Sequence, residues 1–413
     1  MNVSDIGHKA PMARTLRAAA ISPIHHRSGP VPKKGTPVQA RKLFTMLALL
    51  LMPIAGNAHE SSVFATGLTG PVKLALTRQG NLLVTERGTA ANDGRLTLID
   101  SFGTVRPLLS GLPSGIETTG GPSGPQAPVV TSCCVVELTI GEGDMLRFSP
   151  AGPPAQVPNA TGSVSPIFSS VLRLVFGRPI DQLTDSFELT RADHDILADG
   201  RTVRLENAAG EKVWIRLVVD FKDARPDPIT NVRGSNPFSM IARQNGDLLV
   251  VDSGQNSLLR IGSTGWPQVV VRFPPIANAP GVIPPFSDAV PTAVRHYQGS
   301  TFLVSLLTGV PFTPGSASLR LVDVAAGTQT PFITGLTSVT DVLKIGQQIY
   351  VLEISSNLSM GAPGRLLRIK DPGQPPEEVA SGLIGPSGMI YDSQRNAIFI
   401  AEIFTGRIIR VDR

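Results

Sequence analysis

The sequence predicts an all-β chain folded as a six-bladed β-propeller. Three observations carry that prediction: a short apolar phrase recurring six times, an acid-ended apolar strand ahead of most copies, and a spare strand near the start of the body. The phrase reads x-L-L-R-I or a close relative after a residue able to start a turn. Its copies are Gly94–Asp100, Gly143–Phe148, Asn256–Ile261, Ala317–Asp323, Gly364–Ile369 and Gly406–Asp412.

Each copy follows a second apolar strand. Asn81–Glu86, Asp247–Asp252, Gln348–Glu353 and Ala397–Glu402 end in an acid, Val135–Glu142 is a noisier version, and Thr301–Leu306 ends on Leu. Further upstream a turn phrase opens a third strand: Gly67–Pro71, Gly121–Pro125, Ser235–Pro237, Val290–Pro291, Gly335–Ser338 and Gly382–Pro386. Runs of this length, rich in β-branched residues and bounded by Gly, Asn or Pro, read as strands. Three such strands plus an outer one per ~45 residues describe a propeller blade, which must stack on its neighbours to bury both faces. The last unit lacks its outer strand, and Val63-Phe64-Ala65 is placed to supply it, which would close the ring and protect two open sheet edges.

Units two and three are separated by too much chain for one outer strand. Phe187–Ala198 carries apolar residues at helical spacing and stops at Asp199-Gly200, and Thr202–Leu205 with Lys212–Phe221 reads as a hairpin around Asn207–Gly210. The prediction is a helix-containing insertion on blade two, spanning about residues 150–230, with a degenerate seventh blade as the rival.

Gly (41) and Pro (36) make up almost a fifth of the 413 residues, which fits short strands and tight turns, while two Cys exclude a disulfide scaffold. The net charge of +5 is deceptive. Residues 1–58 hold eight Lys and Arg against one acid, leaving 29 bases and 31 acids in residues 59–413, so a nucleic-acid surface is not expected. Arg41-Lys42, the apolar run Leu43–Met52, Pro53 and the small residues Gly56 and Ala58 form a secretory signal with cleavage expected after Ala58. The apolar run is short for a span, which needs ~20 residues. The expectation is a monomer in the periplasm or outside the cell, with no membrane span after cleavage.

The body, residues 59–413, resembles the bacterial ScyD/ScyE family of secreted propellers. The resemblance rests on Gly-Leu-Thr-Gly-Pro at 67–71, Gly-Glu-Gly-Asp at 141–144 and the stretch 235–261, which holds Ser-Asn-Pro-Phe-Ser-Met and Asn-Ser-Leu-Leu-Arg-Ile. The first two are shared with six-bladed propellers of the NHL and gluconolactonase-like kinds. Thr131–Cys134 and the helical insertion depart from the pattern. The resemblance implies a fold and an export route and carries over no catalytic residue.

In a blade, the turn entering the innermost strand and the turn leaving the second strand open at the same end of the ring. Glu86, Glu142, Asp252, Glu353 and Glu402, with Asn236, Asp341 and Ser387, are therefore expected at one channel mouth. Clustered carboxylates and amide oxygens suit a hard cation such as Ca2+, with Glu86, Asp252 and Glu353 as candidate ligands. The competing reading is that each acid caps its own turn or pairs with the Arg of the next strand. His296 is a further channel candidate, whereas His194 reads as part of a solvated helix face. Cys133 and Cys134 would form a strained vicinal bridge or remain buried thiols on opposite faces of a strand. No Gly-x-Ser-x-Gly, Walker loop or Cys-x-x-Cys occurs. The function expected is binding or scaffolding of a small molecule or protein partner around the channel; the alternative is a metal-dependent lactonase-like hydrolase or a metabolite-tailoring enzyme.

Overall fold

The computed structural model describes residues 61–150, 155–222, 224–227 and 231–413, with backbone alone at 224–227 and 231–233. The secretory signal and cleavage site expected from the sequence at 41–58 lie outside the described residues. Blade one is built from Pro71–Leu76, Leu82–Glu86, Gly94–Ile99 and Val105–Leu112, from the channel outward. Blade three (Pro237–Ala242, Leu248–Asp252, Ser257–Ile261, Pro267–Arg272) follows the same meander. So do blade four (Pro291–Gln298, Thr301–Leu306, Ala317–Asp323, Thr328–Leu336) and blade five (Val339–Ile345, Gln348–Glu353, Gly364–Ile369, Glu377–Leu383). Blade six takes Pro386–Asp392, Ala397–Glu402 and Arg407–Asp412 from the end of the chain. Its outer strand is Ser61–Ala65, antiparallel to Arg407–Asp412, so the spare N-terminal strand closes the ring.

The strands are buried on both faces, and the two-residue alternation decides which neighbour each side chain meets. In blade one Leu82 and Val84 pack with Phe399 and Ala401 of blade six, while Leu83 between them packs with Leu138 and Leu172 of blade two. The same division recurs at every junction, with Val250 facing blade two and Val251 facing blade four. A chain of hydroxyls then ties each blade to the next. Thr85 Oγ1 donates to Gln126 O at 2.5 Å, Ser169 Oγ to Ser235 O at 2.7 Å and Ser253 Oγ to Pro291 O at 2.6 Å. Thr292 Oγ1 donates to Val339 O at 2.8 Å, Thr340 Oγ1 to Pro386 O and Ser387 Oγ to Pro71 O, both at 3.0 Å. Each bond satisfies a carbonyl at the crowded inner edge, where a ladder partner is missing.

Blade two departs from the sequence reading. Its innermost and second strands are Pro125–Ser132 and Val135–Ile140, but its third is Ser170–Phe176 and not the phrase copy at 143–148. Leu146–Phe148 forms a small hairpin with Gln156–Pro158. Ser170–Phe176 wins because it pairs on one side with the second strand and on the other with Lys212–Asp220, burying Val171, Leu172, Leu174 and Phe176. The extra chain therefore splits into two excursions, 141–169 at the mouth and 177–211 between the third and fourth strands. The second holds the helix Arg191–Ala198, which starts four residues after Phe187. Thr190 caps it in a capping box with Asp193, and Phe187–Glu188 instead pair in parallel with Leu109–Ser110 of blade one. Val203–Glu206 adds a fifth strand to blade two. No helix among the described residues is long and apolar enough to cross a membrane.

Candidate functional site at the channel mouth

The acids that end the second strands face the first residues of the innermost strands: Glu86 opposite Pro71, Asp252 opposite Pro237, Glu353 opposite Val339 and Glu402 opposite Pro386. In blades two and four the same place is taken by Ile140 and Leu306. All four acids are buried and fully engaged within their own blade. Glu86 accepts from Thr69 N at 2.5 Å and from Thr97 Oγ1. Asp252 accepts from Ser235 Oγ (2.6 Å), Asn236 N (2.9 Å) and Gln255 N (3.0 Å). Glu353 takes Thr337 N at 2.7 Å and Arg365 Nε at 2.6 Å, and Glu402 takes Ile384 N at 2.7 Å and Arg407 Nη2 at 2.6 Å. Each one closes the turn that enters its blade. Glu86, Asp252 and Glu353 are not gathered around a common point: among the described residues no group of three or more His, Cys, Asp or Glu side chains converges as a metal centre would require.

Deeper in the channel the third residues of the innermost strands are small, Ala127, Ser239, Ala293 and Gly388, except for Lys73 and Asp341. These two meet and tie blade one to blade five. Lys73 Nζ donates to Asp341 Oδ2 at 3.1 Å and to Thr340 O at 2.7 Å, and lies 5.0 Å from the centre of the Phe238 ring. Arg295 of blade four holds the other oxygen of Asp341 at 3.0 Å, and Met389 N–H donates to Oδ2 at 3.1 Å. Burial draws the Lys73 ammonium down to about 8 against the attraction of Asp341. A Cβ at position 388 would lie 2.4 Å from Val72 O and 2.8 Å from Lys73 Cδ, so glycine there gives Lys73 its path.

Glu142 is placed differently. It stands two residues beyond the end of the second strand of blade two, at the start of the 141–169 excursion, and keeps part of its surface open. Protein walls its carboxyl group and pushes it up to about 8, with repulsion from Glu117 and Asp252 adding to the effect and the Thr118 N–H opposing it. Glu117 is held on a tight turn between Gly115–Ile116 and Pro122–Ser123, where Thr119 Oγ1 donates to it at 2.6 Å. Burial raises its carboxyl too, and the charge of Arg87 works the other way. Arg87 itself donates to Pro122 O at 3.2 Å and lies beneath the exposed ring of Phe404.

Beside this carboxyl pair stand three oxygens with no hydrogen-bond partner: Thr118 Oγ1, Gln126 Oε1 and Asn236 Oδ1. Gln126 is 5% exposed and Thr118 9%. Gln126 and Asn236 come together over Gly141, which has no side chain: a Cβ there would lie 2.6 Å from Ser123 Oγ, 2.7 Å from Gln126 Nε2 and 3.0 Å from Asn236 Oδ1. An orphaned buried acceptor costs ~1–3 kcal/mol, which sets this part of the mouth apart from the fully bonded turn acids. Of the residues expected from sequence, Glu142 and Asn236 meet here; Glu117, Thr118 and Gln126 carry no repeat signal. The only hint was the longer chain between blade one and the Gly121–Pro125 phrase.

His296 lies near the end of an innermost strand that starts at the mouth, so it belongs to the opposite face. It is exposed, with Nε2 bonded to Gly299 O at 3.1 Å and its ring edge-on to Phe302. His194, read from sequence as solvated, is fully buried: Nδ1 meets Ser165 Oγ at 3.0 Å and Nε2 meets Gly111 O at 2.8 Å, joining the helix to blade one and to the mouth excursion. A cleft of about 280 Å3 between blades three and four, lined by Phe273, Ile276, Leu306 and Arg320 among others, contains none of the expected site residues.

No family model matches the chain, and no curated protein matches it. Solved structures do. A catalytically inactive virginiamycin B lyase from Staphylococcus aureus with quinupristin is 12% identical with TM-score 0.46, covering 86% of this chain and 98% of its own. The PQQ-bound aldose sugar dehydrogenase from Streptomyces coelicolor is 13% identical, TM-score 0.44, covering 86% and 98%. A gluconolactonase from Xanthomonas campestris is 12% identical, TM-score 0.43, covering 86% and 89%.

Proposed function

We propose that the protein is an exported binding propeller of the ScyD/ScyE kind, taking its ligand at the mouth of blade two. One observation carries the reading: two carboxyl groups raised by burial, Glu142 also by the charge of Glu117, share the mouth with side-chain oxygens that lack a hydrogen-bond partner. Such a set of oxygens suits a hard cation, and Ca2+ takes 6–8 of them. Glu117 and Glu142, with Asn236 Oδ1, Gln126 Oε1 and Thr118 Oγ1, would hold it. The ion would supply charge that draws Glu142 back to its ionised form. Titration of the purified protein with Ca2+ by calorimetry tests this. Binding that is lost in Glu142→Gln and kept in Glu353→Gln supports the site; no heat with Ca2+, and none with metabolite candidates, sinks it.

The raised carboxyl favours a second reading. A Glu that keeps its proton near neutral pH, next to one that Arg87 helps to ionise, is the pairing that general acid–base chemistry uses. The protein would then be a hydrolase or metabolite-tailoring enzyme. A screen of lactones and esters decides: turnover abolished by both Glu142→Gln and Glu117→Gln supports it, and absence of turnover removes it. Export rests on the residue pattern of 41–58, and sequencing the N-terminus of the secreted protein tests the cut after Ala58.

A further inference from the structure

We propose that Cys133 and Cys134 form a redox-labile vicinal disulfide on the face opposite the ligand site, closed and opened by exchange with small thiols. In an extended strand neighbouring side chains point to opposite faces. Cys133 and Cys134 instead form the two-residue tip of the blade-two hairpin, between Ser132 and its partner Val135, and the turn brings both sulfurs to one side. Sγ stands 2.9 Å from Sγ, closer than unbonded heavy atoms ordinarily pack, ~3.5–4 Å. A further approach of about 0.9 Å makes the bond of ~2.05 Å. Both residues are half-buried, so an exchange partner reaches them.

The backbone of the tip is anchored at both cysteines. Cys133 O accepts from Ile180 N at 2.9 Å and Cys134 O from Phe176 N at 2.8 Å, so closure proceeds by side-chain rotation over a held turn. The Cys133 sulfur pushes the Cys134 thiol up, against the pull of Arg78. A thiolate of the pair attacks a sulfur of glutathione disulfide and expels one glutathione thiolate. The neighbouring sulfur, once deprotonated, attacks the protein sulfur of the mixed disulfide and expels the second. The protein loses two electrons and two protons, and one glutathione disulfide becomes two glutathione molecules. Adjacent Cα atoms sit at ~3.8 Å, inside the usual ~4.4–6.8 Å range, and strain of that kind makes a bond easily reduced. The ring encloses a single peptide, so it is not a staple.

The test equilibrates the purified full chain with glutathione buffers from reducing to oxidising, quenches with acid, alkylates and weighs the intact protein. The expected product under oxidising buffer is a monomer lighter by two hydrogens, carrying neither alkyl group nor glutathione, and restored by reduced glutathione without denaturant. Cys133→Ser and Cys134→Ser should each stall as the mixed disulfide with glutathione. Wild-type protein that stays doubly alkylated throughout, or stalls as a glutathione adduct as the variants do, overturns the proposal. Near-ultraviolet circular dichroism confirms folding of the Ser variants before they are scored.

Discussion

Blades one and two end their second strands on the same face of the ring, yet their acids live in opposite conditions. Glu86 is closed off, its two oxygens taken by Thr69 N–H and Thr97 Oγ1 of its own blade. Glu142 has one neighbouring N–H, the charges of Glu117 and Asp252 set against its own, and a mouth that holds unpartnered side-chain oxygens. The difference teaches that, in a repeated fold, the recurring acid holds the repeat together. The place where the repeat is broken is free to do chemistry. In blade two Ile140 stands where four other blades carry the acid, and the chain runs on from it into the excursion that holds Glu142.

The largest expected effect comes from the buried charges around Asp341. Asp341→Asn should leave Lys73 and Arg295 without their shared anion at a buried position and cost about 3–5 kcal/mol in urea unfolding. Removing one of the repeated acids comes next. Glu353→Gln should cost about 1.5–3 kcal/mol, the worth of hydrogen bonds to a charged group, while leaving any ligand binding at the mouth intact. If instead Glu353→Gln removed ligand binding, the division between the two classes of acid would fail.

A smaller, pH-dependent effect separates the helix from the ring. His194 has its imidazole drawn below its ordinary value by burial. Its folded value lies under the unfolded one of ~6.5, so its contribution stands above that pH and is lost as pH falls below it. Wild-type unfolding midpoints should drop between pH 7 and pH 5 more steeply than those of His194→Gln. Equal slopes would mean that the histidine does not carry the acid sensitivity.

Much of this architecture was legible because its cause is local and repeated. Leu82, Leu83 and Val84 alternate between two neighbouring blades, and any strand buried on both faces leaves that apolar run in the sequence. The turn acids and the closing N-terminal strand were visible for the same reason. Blade two was not, since Gly143–Phe148 and Ser170–Phe176 both fit the phrase and only two-sided pairing separates them. Glu117 was invisible because its meaning comes from Glu142, 25 residues away, and from the missing side chain of Gly141. His194 misled because the residues beside it, Asp193 and Asp195, are polar, and helical spacing alone does not say that blade one lies against its ring.

The unfolding free energy of wild type, Glu142→Gln and Glu353→Gln at pH 4.5 and pH 8 separates a mouth carboxyl from a turn-closing one. The Glu142 carboxyl sits at about 8, above its unfolded ~4.3. Its favourable contribution is therefore complete below about pH 4.3 and is lost as pH rises toward 8. Glu142→Gln should then be near neutral at pH 4.5 and stabilise the protein by about 1–2 kcal/mol at pH 8, the ~1.4 kcal/mol per unit of linkage being reduced by solvent in the open mouth. Glu353→Gln should destabilise at pH 8. Losses of the same sign and size from both substitutions would contradict the account, since Glu142 would then be one more turn cap.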